Sequence, residues 1–281
     1  MVSATGYAGP TAEQLRAAAR VPAYGRQLVE VFSLRLVGGA AGAPPCGTVS
    51  VSDGKRGQVV YSRERDQPTR FHPSSRAQDG LVLTGPHRAI SADGSVAITL
   101  DLDDGSQEPP PSSQEGGNKT GKISWDVYHP SVEHDKAISQ TVDTRCGPAE
   151  VTYAVLSNAV EGVVEVKLVH GEDGGPACVR GRITARSRLF EVGIVLFDSE
   201  SDESVLARAR LEGLSTIPLA RSVLAVPLAW PLTVEADLRA RSGDEIAKGY
   251  LEFYPELDGQ HVKRLVGRNG EIEVKITWWD N

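Results

Sequence analysis

The sequence predicts an all-β fold: two pseudo-repeated β-sandwich-like halves packed together, with a short N-terminal helix. Three observations carry this. Apolar and polar residues alternate with period two through a series of strand-length runs. The 281 residues include 29 Gly and 17 Pro, so turns are frequent and strands short. The same run of elements recurs after a nearly constant offset.

The elements follow in order. Thr11 to Arg20 (TAEQLRAAAR) reads as a helix, with Thr11 as cap and Gln14 three residues on; Pro22 stops it. Strands follow at 28–36 (LVEVFSLRL), 47–52 (GTVSVS), 58–62 (QVVYS) and 96–102 (VAITLDL). Residues 149–161 (AEVTYAVLSNAVE) fit either two short strands around Ser157-Asn158 or a brief helix, and strands are favoured because Val151, Tyr153 and Val155 alternate. Further strands are expected at 163–169, 181–185, 194–197, 223–228, 232–238 and 271–277. Residues 103–121 (DDGSQEPPPSSQEGGNKTG) have almost no apolar side chain and read as a flexible surface loop.

The recurrence is specific. Gly47-Thr-Val-Ser-Val51 lies over Gly181-Arg-Ile-Thr-Ala185, and Val96 to Leu102 lies over Leu232 to Leu238. The offset is 181 − 47 = 134 at the first pair and 238 − 102 = 136 at the last, a drift that one loop insertion explains. An apolar-Glu-Val core also recurs at Val29-Glu30-Val31, Val164-Glu165-Val166 and Ile272-Glu273-Val274, each read as a strand with its glutamate on the wet face. This divides the chain into a tail (1–27), a first β half (28–162) and a second β half (163–281), with a seam between the halves.

Composition excludes several classes of function. The formal charge is −7, so general nucleic-acid binding is not expected. No run of about 18 apolar residues exists, so no membrane-spanning helix is expected. Met1 to Pro10 lacks the basic start and apolar run of a secretory signal, which points to an intracellular, cytoplasmic protein. Cys46, Cys146 and Cys178 are far apart and odd in number, which fits buried, reduced thiols. Asn118-Lys119-Thr120 reads as a chance glycosylation match.

No catalytic, cofactor or metal site emerges. There is no GxSxG elbow and no cysteine beside a suitable histidine. Gly38 to Gly42 runs into two prolines rather than a helix and reads as a loop. His129 and His134 are five apart in a loop and lack further ligands nearby. Asp101, Asp103 and Asp104 fall short of the six to eight oxygens calcium wants. Asp198 to Glu203 reads as an acidic loop tip after a strand. The speculative ligand surface is aromatic: Trp125, Trp230 and Trp279, since exposed indoles on β-sandwiches can stack on sugars. Trp278 and Trp279 point to opposite faces of one strand, so one is read as core and one as edge.

The succession VEVFSLRL, GTVSV, LVLTGPHRAIS, AEVTYAVLSNAVEGVVEVKL, GRITAR, VLFDS, LARSVLAVPL and EVKITW resembles a plant domain of unknown function. The likeness spans residues 28 to 279, and AVEGVVEVKL and LFDS are its most specific stretches. That family is abundant in grasses, both alone and attached to ribosome-inactivating N-glycosylase domains in jasmonate-induced cereal proteins. The resemblance implies a stress- or defence-linked setting; it does not imply toxin activity, because that activity belongs to a separate domain, and Glu13-Gln-Leu-Arg16 is not a match to its active-site helix. The expectation is a non-enzymatic binding or regulatory domain that recognises an unknown protein or small ligand at the seam or on loop tips, without a cofactor. A carbohydrate-binding, lectin-like module is the alternative. A hydrolase or glycosylase with an unrecognised site is a third reading.

Overall fold

A computed structural model of the chain describes residues 24–38, 44–64, 80–103, 120–169, 178–199, 205–206, 208–209 and 214–280. The helix expected at 11–20 lies outside them. Among the described residues there is no helix, and the fold is all-β. The strands are β1 (Arg26–Leu36), β2 (Cys46–Ser52), β3 (Gly57–Arg63), β4 (Ile90–Ser91), β5 (Ser95–Asp103), β6 (Gly121–Asp126), β7 (Ile138–Thr144), β8 (Gly147–Val169) and β9 (Cys178–Ser187). They continue as β10 (Ile194–Ser199), β11 (Val205–Leu206), β12 (Arg208–Ala209), β13 (Leu214–Thr216), β14 (Val223–Pro227), β15 (Leu232–Ala240), β16 (Glu245–Phe253), β17 (Gly259–Val266) and β18 (Glu271–Trp279).

Two outer sheets share one strand order. The first runs β3-β2-β5-β6 and the second β10-β9-β15-β16, all antiparallel. The third sheet is common to both halves, and β8 is its spine. The first part of β8 pairs with β7 and β1, and the last part with β18, β14 and β13. Each part of this central sheet faces one outer sheet, which gives two cores. Val29, Val31, Val151 and Tyr153 pack with Val49, Ile98 and Leu100 in one. Val164, Val166, Val274 and Trp278 pack with Ile183, Leu196, Val234 and Phe253 in the other. β1 is buried on both faces, sending Val29 and Val31 to the first core and Leu28 and Phe32 to the second. Such a strand loses its alternation, which is why residues 28–32 are all buried.

Residues 149–161 do not form two short strands. They belong to one 23-residue strand, β8, because β7 and β1, then β14, β18 and β13, pair with successive parts of it. The division drawn between residues 162 and 163 falls inside it. The loop expected at 103–121 is shorter at both ends: Asp103 closes β5 and Gly121 opens β6, while residues 104–119 lie outside the described set. Asp198 is not at a loop tip either. It lies in β10 and is 2% exposed, within 4.0 Å of Arg182. Residues 200–203 lie outside the described set.

Two glycines make the matching strand order physical. Gly47 of β2 has φ +117° and Gly181 of β9 has φ +116°. A Cβ at either would lie 2.0 Å from a carbonyl oxygen, that of Asp101 or Asp237 respectively. The positive φ and the close approach both demand glycine at equivalent points of the two halves.

The halves are pinned together by a buried ion pair. Arg221, which precedes β14, donates to Glu30 and to the carbonyls of Val31 (2.7 Å) and Val223 (2.9 Å). Glu30 also accepts the Ala225 N–H at 2.6 Å. Both side chains are 1% exposed. Glu30 therefore does not sit on a wet face as expected, because β1 has no wet face at that point. Glu165 and Glu273 are only partly buried, and Glu165 faces Lys275 at 3.5 Å across the β8–β18 ladder.

Candidate functional site

The outward face of the second outer sheet meets the first half along a groove. β9 alternates: Val179, Ile183 and Ala185 enter the core, while Arg180, Arg182, Thr184 and Arg186 point away from it. Thr233, Glu235, Asp237 and Arg239 do the same on β15. One cavity of about 390 Å³ is bounded by Phe32, Ser33, Leu81 and Leu83 of the first half, and by Arg182, Thr184, Arg186, Thr233 and Glu235 of the second. A second cavity of about 600 Å³ shares Arg182, Thr184 and Glu235 and extends to Arg180, Ser199, Asp237 and Arg239. Together they form a polar trough with an apolar wall.

The trough's charges are ordered. Asp237 accepts Lys248 Nζ at 2.8 Å and lies 3.8 Å from Arg239 Nε. The sheet fixes each backbone, so side-chain spacing follows the pleat rather than a loop. Phe32 stacks edge-on against Phe190, with centroids 4.9 Å apart, and this stiffens the apolar wall.

Among the described residues three groups carry displaced pKa values, and none lines the trough. Burial pushes the Glu30 carboxyl up from its ordinary value, against the opposing pull of Arg221. Burial pushes the Tyr61 hydroxyl up to about 12, and it donates to the Pro45 carbonyl at 2.6 Å. Burial also raises Tyr153. Among the described residues no group of three or more His, Cys, Asp or Glu is placed to hold a metal ion. His129 Nδ1 is instead 2.7 Å from the Ser131 hydroxyl. Cys46 and Cys146 are free thiols and only partly buried, so the reading of fully buried thiols does not hold for these two. Among the described residues no helix is long and apolar enough to cross a membrane.

The tryptophans do not converge on the trough. Trp125 of β6 is partly buried and stacks on Tyr153 at 4.6 Å, beside a cavity of about 310 Å³ in the first half. Trp230 lies in the turn after β14 and is 43% exposed. Trp278 is wholly buried and Trp279 is 44% exposed, as their opposite faces require. The trough arginines escaped sequence reasoning. Their only signal was arginine at alternate positions 180, 182 and 186 of a strand whose other face is apolar.

No curated protein matches the chain. Among solved structures, human GIVD cytosolic phospholipase A2 is 12% identical, with a TM-score of 0.26, over 92% of this chain and 31% of that one. The chain thus spans about a third of the phospholipase's length. A tandem C2-domain fragment of Extended-Synaptotagmin 2 is 12% identical, with a TM-score of 0.25, over 99% of this chain and 95% of that one. At such scores neither likeness carries an argument about fold or function. A family model described as Domain of unknown function (DUF6598) matches residues 28–276. It spans both outer sheets, the central sheet and the trough, and the chain belongs to that family.

Proposed function

We propose that the chain is a non-enzymatic binding or regulatory β module that recognises a protein partner along the trough between its halves. One observation carries the reading: two adjoining cavities of about 390 and 600 Å³ line up along paired strands, with the arginines of β9 beside the carboxylates of β15 on the floor and apolar residues on one wall. Such a surface suits an extended peptide segment of mixed charge, whose apolar side chains would meet Phe32, Leu81 and Leu83. The resemblance to the grass domain supports a setting in plant stress or defence. The net charge of −7 is read as solubility.

The test is affinity capture from stressed plant tissue beside a glycan array, using wild type and the double variant Arg186→Glu/Glu235→Arg. Both positions are exposed, so the fold is expected to survive. A protein retained by wild type and lost by the variant supports the reading. A competable glycan signal with no retained protein, or capture indifferent to the variant, refutes it.

A further inference from the structure

A further cavity, of about 390 Å³, lies away from the trough and carries more cations than carboxylates, in contrast to the acidic chain as a whole. Arg26 of β1, Lys55 and Arg56 of the β2–β3 turn, and Arg88 before β4 all line it. The two carboxylates that line it are already engaged by backbone. Asp53 Oδ1 accepts the N–H groups of Lys55 (2.9 Å) and Arg56 (2.6 Å), and Glu161 Oε2 accepts that of Ala89 (2.6 Å). Those bonds hold the cations' backbones in place. Gln58 does the same for Arg88, donating to its carbonyl at 2.9 Å and accepting its N–H at 3.2 Å. Arg26 Nε is buried and makes no hydrogen bond; its neighbour is the Asp280 carboxylate at 3.6 Å. The Arg26 side chain as a whole is 35% exposed and lines the cavity.

An aromatic group stands at the same place. Trp279 is the cross-strand partner of Glu161, so the two side chains share one face of the central sheet. The next residue, Asp280, reaches Arg26. Trp279 does not line the cavity itself but is 44% exposed beside Glu161, which does, while Trp278 is fully buried on the other face. The cavity volume falls within the range of small-ligand sites.

We propose that this cavity binds an anionic sugar. Its phosphate, sulfate or carboxylate oxygens are held by Arg26, Lys55, Arg56 and Arg88, and its ring stacks on Trp279. Guanidinium forks match such oxyanions in a bidentate way, and an indole face packs well on a sugar ring's C–H surface. This site is independent of the trough and stands whether or not the trough holds a protein.

The test is titration calorimetry with tryptophan fluorescence, using glucose-6-phosphate, glucuronate, inorganic phosphate and glucose as probes on the full chain. The two anionic sugars are expected to bind saturably and perturb the fluorescence, and to weaken as salt rises. Glucuronate and glucose-6-phosphate report separately on the carboxylate and phosphate sources of the oxyanion. The double variant Arg56→Gln/Arg88→Gln changes exposed turn residues and is expected to weaken binding by about tenfold or more, with thermal unfolding unchanged. Trp279→Ala is expected to weaken the anionic sugars toward the affinity of inorganic phosphate. Absence of saturable binding by either anionic sugar overturns the proposal. So does glucose binding as tightly as both anionic sugars, or an unchanged affinity in the arginine variant. Inorganic phosphate binding as tightly as the anionic sugars to wild type overturns the role given to the ring and Trp279.

Discussion

Removing Arg221 is the sharpest perturbation of the joint between the halves. In Arg221→Met the buried Glu30 carboxyl keeps only backbone N–H partners, from Ala225 and Val31, while the Val31 and Val223 carbonyls lose their guanidinium donor. Breaking a buried pair from one side costs about 3–5 kcal/mol, because the remaining charge is stranded in low dielectric. Glu30→Leu strands the Arg221 guanidinium in the same way and closes the cycle, while Glu30→Gln, outside the cycle, keeps an acceptor for Ala225 and belongs at the lower end of that range. Glu30→Leu/Arg221→Met removes both charges and is expected to recover most of the loss, since apolar replacement of a whole buried pair is close to neutral. The assay is urea unfolding followed in parallel by tryptophan fluorescence, to which the buried Trp278 contributes, and by far-ultraviolet circular dichroism. The cycle is expected to show a coupling of at least about 2 kcal/mol between the two positions. Single-variant losses below about 1 kcal/mol, or a double variant equal to the sum of the singles, would show that the pair does not pin the halves.

Three further outcomes follow from the same geometry. Gly47→Ala and Gly181→Ala each force a Cβ to within 2.0 Å of a carbonyl at positive φ, and each is expected to cost at least about 2 kcal/mol in chemical unfolding, by similar amounts in the two halves. Gly162→Ala places a Cβ 2.7 Å from the Trp278 ring and should cost about 1–3 kcal/mol; a companion Trp278→Leu should reduce that penalty. The Tyr61 hydroxyl keeps its proton to about pH 12, whereas an unfolded tyrosine ionises near its ordinary value of 10.0. The folded state therefore holds a proton the unfolded state has lost, and stability falls as pH rises through that window. Phenolate absorbance should show a late phase that Tyr61→Phe reduces, the remainder belonging to Tyr153; appearance of the whole phenolate signal near pH 10 would contradict the burial assigned to Tyr61.

The strands were legible because half-buried antiparallel strands write their pattern with period two, as β5, β15 and β18 do. β1 and β8 were harder. Both are covered on two faces over part of their length, and a doubly covered strand no longer alternates. Glu30 was misplaced for that reason, since no local signal announces that Arg221, 191 residues away, will neutralise it. The candidate surfaces were hardest of all. The trough joins arginines of β9 to Phe32 and Leu81, and the cationic cavity joins Arg26, Arg56 and Arg88 to Glu161, the cross-strand partner of Trp279, so each exists only through long-range strand pairing. Trp279 stood out as an exposed indole, while the cations beside it looked like ordinary turn residues.

The central claim is that recognition runs along the trough between the halves. Hydrogen–deuterium exchange of the chain with and without its captured partner tests this most directly. The claim expects partner-induced protection on 180–186 and 233–239, together with Phe32 to Leu34 and Leu81 to Leu83, and little change around Trp125. Protection confined to the first outer sheet or to the turn at Trp230, with the trough strands unchanged, would contradict it.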